Sequence, residues 1–316
     1  MANPRFPRPN LTLKTRIQAV ASVVVPFDEL GDPDWDTFAS LLARLNKLGM
    51  TAAVNMTHTT PSLLQTNLQV GAAHQAHQQF GGRFYAGVHV HDAEGDWFNI
   101  DRYRRQIEVL TGLGGIPVIF PSHGLNALDD SEWIKAMDDI GRETDSFMIG
   151  EVGPLVSSTP NLREPGTNLH LVRNNACKGL VHASISRTAE FDRIAAQGKL
   201  RSDFRLFSAN ERAIDMPMFG SGYMLLAASM VPDVFMRRDS LWESGDRDVY
   251  ELNDLLQYLA MFTARDPIAA QPHSTLQFLK LRGWVGSDRV PEGTPTRPDS
   301  DVEVLREIAH RLGVLK

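Results

Sequence analysis

The sequence predicts a (β/α)8 barrel followed by a C-terminal helical extension. Three observations predict it: eight short apolar runs, helical patterns between most of them, and helices alone beyond about residue 236. A doubly wound open sheet is the competing architecture. It calls for a Gly-rich phosphate turn after an early strand, and the chain has none.

Ile17 to Pro26 (IQAVASVVVP) reads as the first strand. Asp34 to Leu48 has helical spacing, with Asp32 as the expected cap, Pro33 at the first helical position and Gly49 as the stop. Thr51 to Met56 is the second strand and Leu63 to Phe80 the second helix. Tyr85 to Val90 is the third strand, with a helix near Asp101 to Leu113. Ile116 to Phe120 is the fourth, followed by a helix over Ser131 to Thr144. Phe147 to Val152 is the fifth strand, and Ala176 to Val181 the sixth, with Thr188 to Gln197 helical after it. Phe204 to Ser208 and Tyr223 to Ala228 complete the eight. Leu252 to Phe262, Ser274 to Leu281 and Val302 to Leu315 then read as helices, and Arg289 to Pro298 as a Pro-rich surface loop. The expected division is residues 1–235 for the barrel and 236–316 for an extension packed on it.

A chain of 316 residues suits one such barrel, and 42% apolar content supplies a full core. The formal charge of -6 and the lack of a basic block argue against nucleic acid as a partner. Cys177 is the only cysteine, which excludes an internal disulfide and fits a reducing compartment. The first residues carry no apolar stretch of signal-peptide type, and no run of about 18 apolar residues occurs. The expectation is a cytoplasmic protein with no membrane partner.

Active sites in this fold lie at the carboxyl ends of the strands. The polar residues expected there are Asn55, His58, Thr59, His89, His91, Asp92, Ser122, His123, Glu151, His182, Ser208 and Asn210. His89 and His91, two apart on a strand, share a face and suit a divalent metal such as zinc, with Glu151, His123 or His182 as further ligands. The alternative is a hydrogen-bonded core His89 and an ordinary loop His91. Glu151 ends an apolar strand, so burial is expected to raise its pKa and fit it for acid–base work; a salt bridge to Arg163 or Arg187 is the structural alternative. His123 and His182 are candidate proton carriers. Lys178 is the only lysine on an expected strand and so the candidate for a lysine imine; the alternative is an outward side chain reaching water. Thr59 and Thr60, with Asn55, His58, Ser122 and Asn210, are the expected substrate contacts.

Several strings resemble the pyruvate-dependent lyase superfamily of dihydrodipicolinate synthase and N-acetylneuraminate lyase. They are VVPF (Val24 to Phe27), LGMTAAVNMTHTTPS (Leu48 to Ser62), IPVIFP (Ile116 to Pro121) and the run Phe204 to Asp233. The resemblance covers roughly residues 15 to 282. It implies a barrel that binds a carboxylate in its threonine loop, and a homo-oligomer, dimer or tetramer. The departures are specific. The family's strand-six lysine string becomes Gly179-Leu180-Val181-His182-Ala183-Ser184, with Val181 in the lysine's place. The strand-five tyrosine string becomes Ile149-Gly150-Glu151-Val152-Gly153-Pro154. The threonine pair falls on His58 and Thr59, or on Thr59 and Thr60, and the tyrosine-rich turn after strand four becomes Pro121-Ser122-His123.

The resulting expectation is a lyase of aldolase, dehydratase or decarboxylase type, acting on an oxo acid or related carbonyl compound. Two alternatives stand beside it: a metal-dependent barrel enzyme using His89 and His91, and a non-enzymatic binder of small acids.

Overall fold

The computed structural model describes residues 9–57, 66–154, 156–157, 159–197 and 201–315. Eight strands pair in sequence order, all parallel, and the eighth closes on the first. They are β1 (Ala19–Ser22), β2 (Thr51–Val54), β3 (Phe84–Val88), β4 (Gly115–Ile119), β5 (Phe147–Val152), β6 (Cys177–Ala183), β7 (Arg205–Ser208) and β8 (Gly222–Leu225).

Period-2 alternation divides the strand side chains between two cores. Val20, Ala53, Val118, Met148, Val181, Phe207 and Met224 form a cluster made of strand residues alone, which therefore fills the ring. Phe120, Val152 and Ala183 continue it toward the mouth. The alternate residues, such as Ala52, Val54, Ile149, Leu180 and Leu206, join the helices in a second, larger core.

The ring is covered by α1 (Trp35–Lys47), α2 (Thr66–Phe80), α3 (Ile100–Gly112), α4 (His123–Asn126), α5 (Asp130–Ile140), α6 (Pro165–Leu171) and α7 (Arg187–Gln197). The helices α8 (Ala227–Met230) and α9 (Pro232–Ser244) follow β8, and α10 (Asp248–Thr263), α11 (Gln271–Leu281) and α12 (Asp301–Arg311) form the extension. No helix among the described residues is long and apolar enough to cross a membrane.

Several sequence expectations need correction. The N-cap of α1 is Asp34, whose carboxylate accepts from the Thr37 amide at 3.0 Å, while Pro33 is held in a bridge to Phe27. The first strand pairs only over Ala19–Ser22, and Ala227 and Ala228 are helical rather than part of β8. The helix α6 was not expected, because its seven residues open on Pro-Gly and carry too little apolar repeat to signal a helix. The expected division at 235/236 falls inside α9, which Gly245 ends at φ 78°. Arg297, in the Pro-rich loop, is buried and donates to the carbonyls of Thr263, Arg265, Asp266 and Pro267, so the loop's end is part of the extension's core.

The pairing of β5 with β6 sets the orientation of the whole site. Phe147 pairs with Cys177 but Met148 with Gly179, so Lys178 is an extra residue bulging from the ladder. Gly179 sits at φ 151°, and a Cβ there would lie 1.8 Å from the Arg205 carbonyl oxygen. Gly179→Ala is therefore expected to destabilise the fold by at least about 3 kcal/mol, read from urea midpoints. A change under about 1 kcal/mol would show that the bulge is not needed.

Candidate active site at the carboxyl rim of strands five to seven

After the bulge, β6 alternates with Val181 inward and His182 outward, and His182 lies opposite Glu151 of β5. Both polar side chains therefore enter the layer between the barrel wall and helices α6 and α7. There the Glu151 carboxylate accepts from four donors. They are Asn168 Nδ2 at 2.7 Å, Arg193 Nε at 2.8 Å, Arg193 Nη2 at 3.0 Å and His182 Nδ1 at 2.9 Å. Asn168 comes from α6 and Arg193 from α7, so both helices are tied to the strands through one carboxylate.

Burial alone would push the Glu151 carboxyl up, but the hydrogen bonds from His182 and Arg193 outweigh it and hold the pKa at about 2. The rise expected from burial was wrong because the pairing wins. The partner is Arg193, whereas Arg163 pairs with Asp130 and Arg187 with Asp215. An ionised Glu151 fixes the His182 tautomer: Nδ1–H donates to the carboxylate and Nε2 keeps its lone pair. Nε2 then accepts from the Ser184 hydroxyl at 2.7 Å. Burial pushes the His182 pKa down, with Arg193 adding to that and Glu151 opposing it, so the ring is a neutral base.

The relay runs up the outside of the barrel wall and surfaces at the rim. Ser184 lines a narrow cleft of about 30 Å³ with Ala183, Asn210, Glu211, Arg212 and Gln271. That space takes about two water molecules. Glu211 holds the start of α8 by accepting from the Leu226 amide at 2.5 Å, and burial pushes its pKa up to about 7. Gln271 of α11 is 1% exposed, and its side chain is engaged with the Glu211 carboxyl. Behind the rim, Glu190 of α7 accepts from Ser208 Oγ at 2.5 Å and Asn210 Nδ2 at 3.1 Å; burial raises its pKa to about 8.

The expected residues do not all converge on one cavity. Glu151 and His182 are joined, but in the wall and not in the mouth. Lys178 belongs to the amino end of β6, where its ammonium donates to the Asn175 carbonyl at 2.7 Å and faces Asp203 at 3.4 Å. No lysine among the described residues enters the ring. His123 is exposed at the start of α4, where its backbone N–H and that of Gly124 are held by Asp92. Ser122 is the cap of that helix, its hydroxyl oxygen accepting from the Leu125 amide at 3.2 Å. Asn210 is likewise engaged at both amide atoms, by Glu190 and by the Arg212 N–H. His58, Thr59 and Thr60 lie outside the described residues.

The structure gives the paired histidines different surroundings. Beyond Val88 the strand ends, so alternation no longer aligns them. His89 is buried and stacks on Phe120 at 4.7 Å, and its Nε2 donates to the Asn55 carbonyl at 2.7 Å. Burial pushes its pKa down to about 4. His91 is exposed. Among the described residues no group of three His, Cys, Asp or Glu is placed to hold a metal ion. Asn55, at φ 57°, donates to the Gln69 carbonyl, while its buried Oδ1 has no partner.

Sequence reasoning missed Ser184, Arg193, Asn168, Glu190, Glu211 and Gln271. Ser184 was within reach: two residues beyond His182, it continues the same strand face. The others come from helices or strand ends whose depth no local pattern encodes.

No protein-family model matches the chain, and no curated protein sequence matches it either. Solved structures do. The dihydrodipicolinate synthase of Thermotoga maritima superposes with a TM-score of 0.78 at 16% identity, covering 95% of this chain and 100% of that one. The chloride-inhibited dihydrodipicolinate synthase of Acinetobacter baumannii, complexed with pyruvate, gives 0.77 at 13% identity, over 95% and 100%. A prophage protein of the dihydrodipicolinic acid synthase family from E. coli K12, also with pyruvate, gives 0.77 at 14%, over 94% and 99%. Over nearly its whole length the chain is built on the fold of the dihydrodipicolinate synthases, helical extension included.

Proposed function

We propose that the chain is a lyase that makes or breaks a bond in an oxo acid or related carbonyl compound at the carboxyl rim of the barrel, without a lysine imine. The observation that carries this reading is the Glu151–His182–Ser184 relay opening into the rim cleft. A neutral imidazole behind a hydroxyl passes a proton to or from a substrate atom without exposing the carboxylate. Glu211, with its pKa near 7, is a second proton carrier in the same cleft. Val181 stands where the resemblance places the imine lysine, and its apolar side chain packs inside the ring. The segment following Asn55, with His58, Thr59 and Thr60, holds the substrate carboxylate in this reading. A homo-oligomer in the cytoplasm completes it.

The test is turnover of 2-oxo acids, alone and with aldehydes. Ser184→Ala is expected to lower kcat about 10²–10⁴-fold with the fold intact. Borohydride treatment with pyruvate is expected to leave the intact mass unchanged. A lysine adduct would overturn the imine-free mechanism, and no turnover of any carbonyl compound would overturn the lyase reading.

A further inference from the structure

We propose that Ser184 is also a covalent nucleophile, giving the chain an esterase activity toward small, activated acyl esters. The inference uses the relay but does not depend on the lyase reading. Two observations carry it. The Ser184 hydroxyl, His182 and Glu151 stand in the order nucleophile, base, orienting acid, with heavy-atom separations of 2.7 Å and 2.9 Å. This is the constellation that activates serine on unrelated folds, where it is recognised by geometry and role. The acid is locked: Arg193 and Asn168 occupy its remaining lone pairs, so the imidazole cannot swing away by exchanging partners. The cleft that receives Ser184 is also lined by the buried Gln271 side chain, which is engaged with the Glu211 carboxyl.

The steps balance without a redox partner. Ser184 Oγ bonds to the acyl carbon while its proton passes to His182 Nε2. The carbon–oxygen bond to the leaving alkoxide breaks, and the alkoxide takes that proton and departs as the alcohol. Water then attacks the acyl carbon, giving a proton to His182. The bond to Ser184 Oγ breaks, Oγ recovers the proton, and a carboxylic acid leaves. Glu151 touches no reacting atom and is a positioning residue. The narrow cleft restricts the acyl group to a short chain.

The experiment uses the full chain with p-nitrophenyl acetate. A burst of p-nitrophenolate is expected, close to one equivalent per chain, with one acetyl group mapped to Ser184 by peptide mass. Ser184→Ala is expected to abolish the burst, and Ser186→Ala to keep it. His182→Gln is expected to slow acylation at least 100-fold. Ser184→Cys, which keeps a nucleophile of similar size, is expected to acylate, and so separates lost chemistry from lost folding. In Glu151→Gln the acidic limb of the acylation pH profile is expected to move to lower pH, because the imidazole loses its anionic neighbour. No burst in the wild type, or acetyl on another residue, overturns the proposal. Oxo-acid turnover measured on the same preparations separates the two readings, since labelling of Ser184 does not require it.

Discussion

Arg193→Met is expected to cost about 3–5 kcal/mol of stability, measured as the shift in urea midpoint at neutral pH. That is the range for breaking a buried ion pair by removing one partner. Arg193 is 7% exposed and Glu151 1% exposed. Without the guanidinium, the carboxylate keeps only His182 and Asn168 as partners and stays charged in a dry wall. The double variant Arg193→Met with Glu151→Leu is expected to recover most of the loss, because neither charge is then stranded. Additive losses in the two single variants would show that the pair is not coupled. The pair also sets an acid limit. Glu151 has a folded pKa near 2, below its usual 4.5, so its contribution is present above pH 4.5 and fades as pH falls toward 2.

Glu190 produces the opposite dependence. Burial raises its folded pKa from 4.5 to about 8, so the folded chain prefers the protonated acid. Stability from this group is complete below pH 4.5 and is lost as pH rises through 8. Glu190→Gln keeps an amide of the same shape and cannot ionise. The variant is expected to match the wild type near pH 5 and to exceed it by about 3–5 kcal/mol near pH 9. Thermal unfolding at both values checks it, and equal melting temperatures at pH 9 would sink the assignment. Ser208 and Asn210 fix the carboxyl in place, so the effect is not open to relief by rotation.

The barrel was legible because strand and helix periods differ and their alternation is long. Leu41, Leu42 and Leu45 at helical spacing and the run TAAV each imply one kind of packing. Ends were less legible, because β-branched residues such as Val23 to Val25 stay buried past the last ladder bond. The site was read in part. Glu151 and His182 were singled out as separate rim residues, and the structure joins them, yet their side of the wall depends on a one-residue bulge that only the pairing of Phe147 with Cys177 reveals. The pKa of Glu151 was misjudged for a related reason. Burial is visible in an apolar strand, but the arginine that neutralises it lies 42 residues away. His89 and His91 do not share one environment, because strand alternation stops at Val88 and one is buried while the other is exposed.

The packed ring of Val20, Val118, Val181, Phe207 and Met224 has a mechanical consequence. Apolar side chains fill the ring, so variation in what its carboxyl rim can contact is left to the loops above it. Those loops can be rebuilt while the hydrogen-bonded chain from Glu151 through His182 to Ser184, on the helix side of the β-wall, keeps its partners.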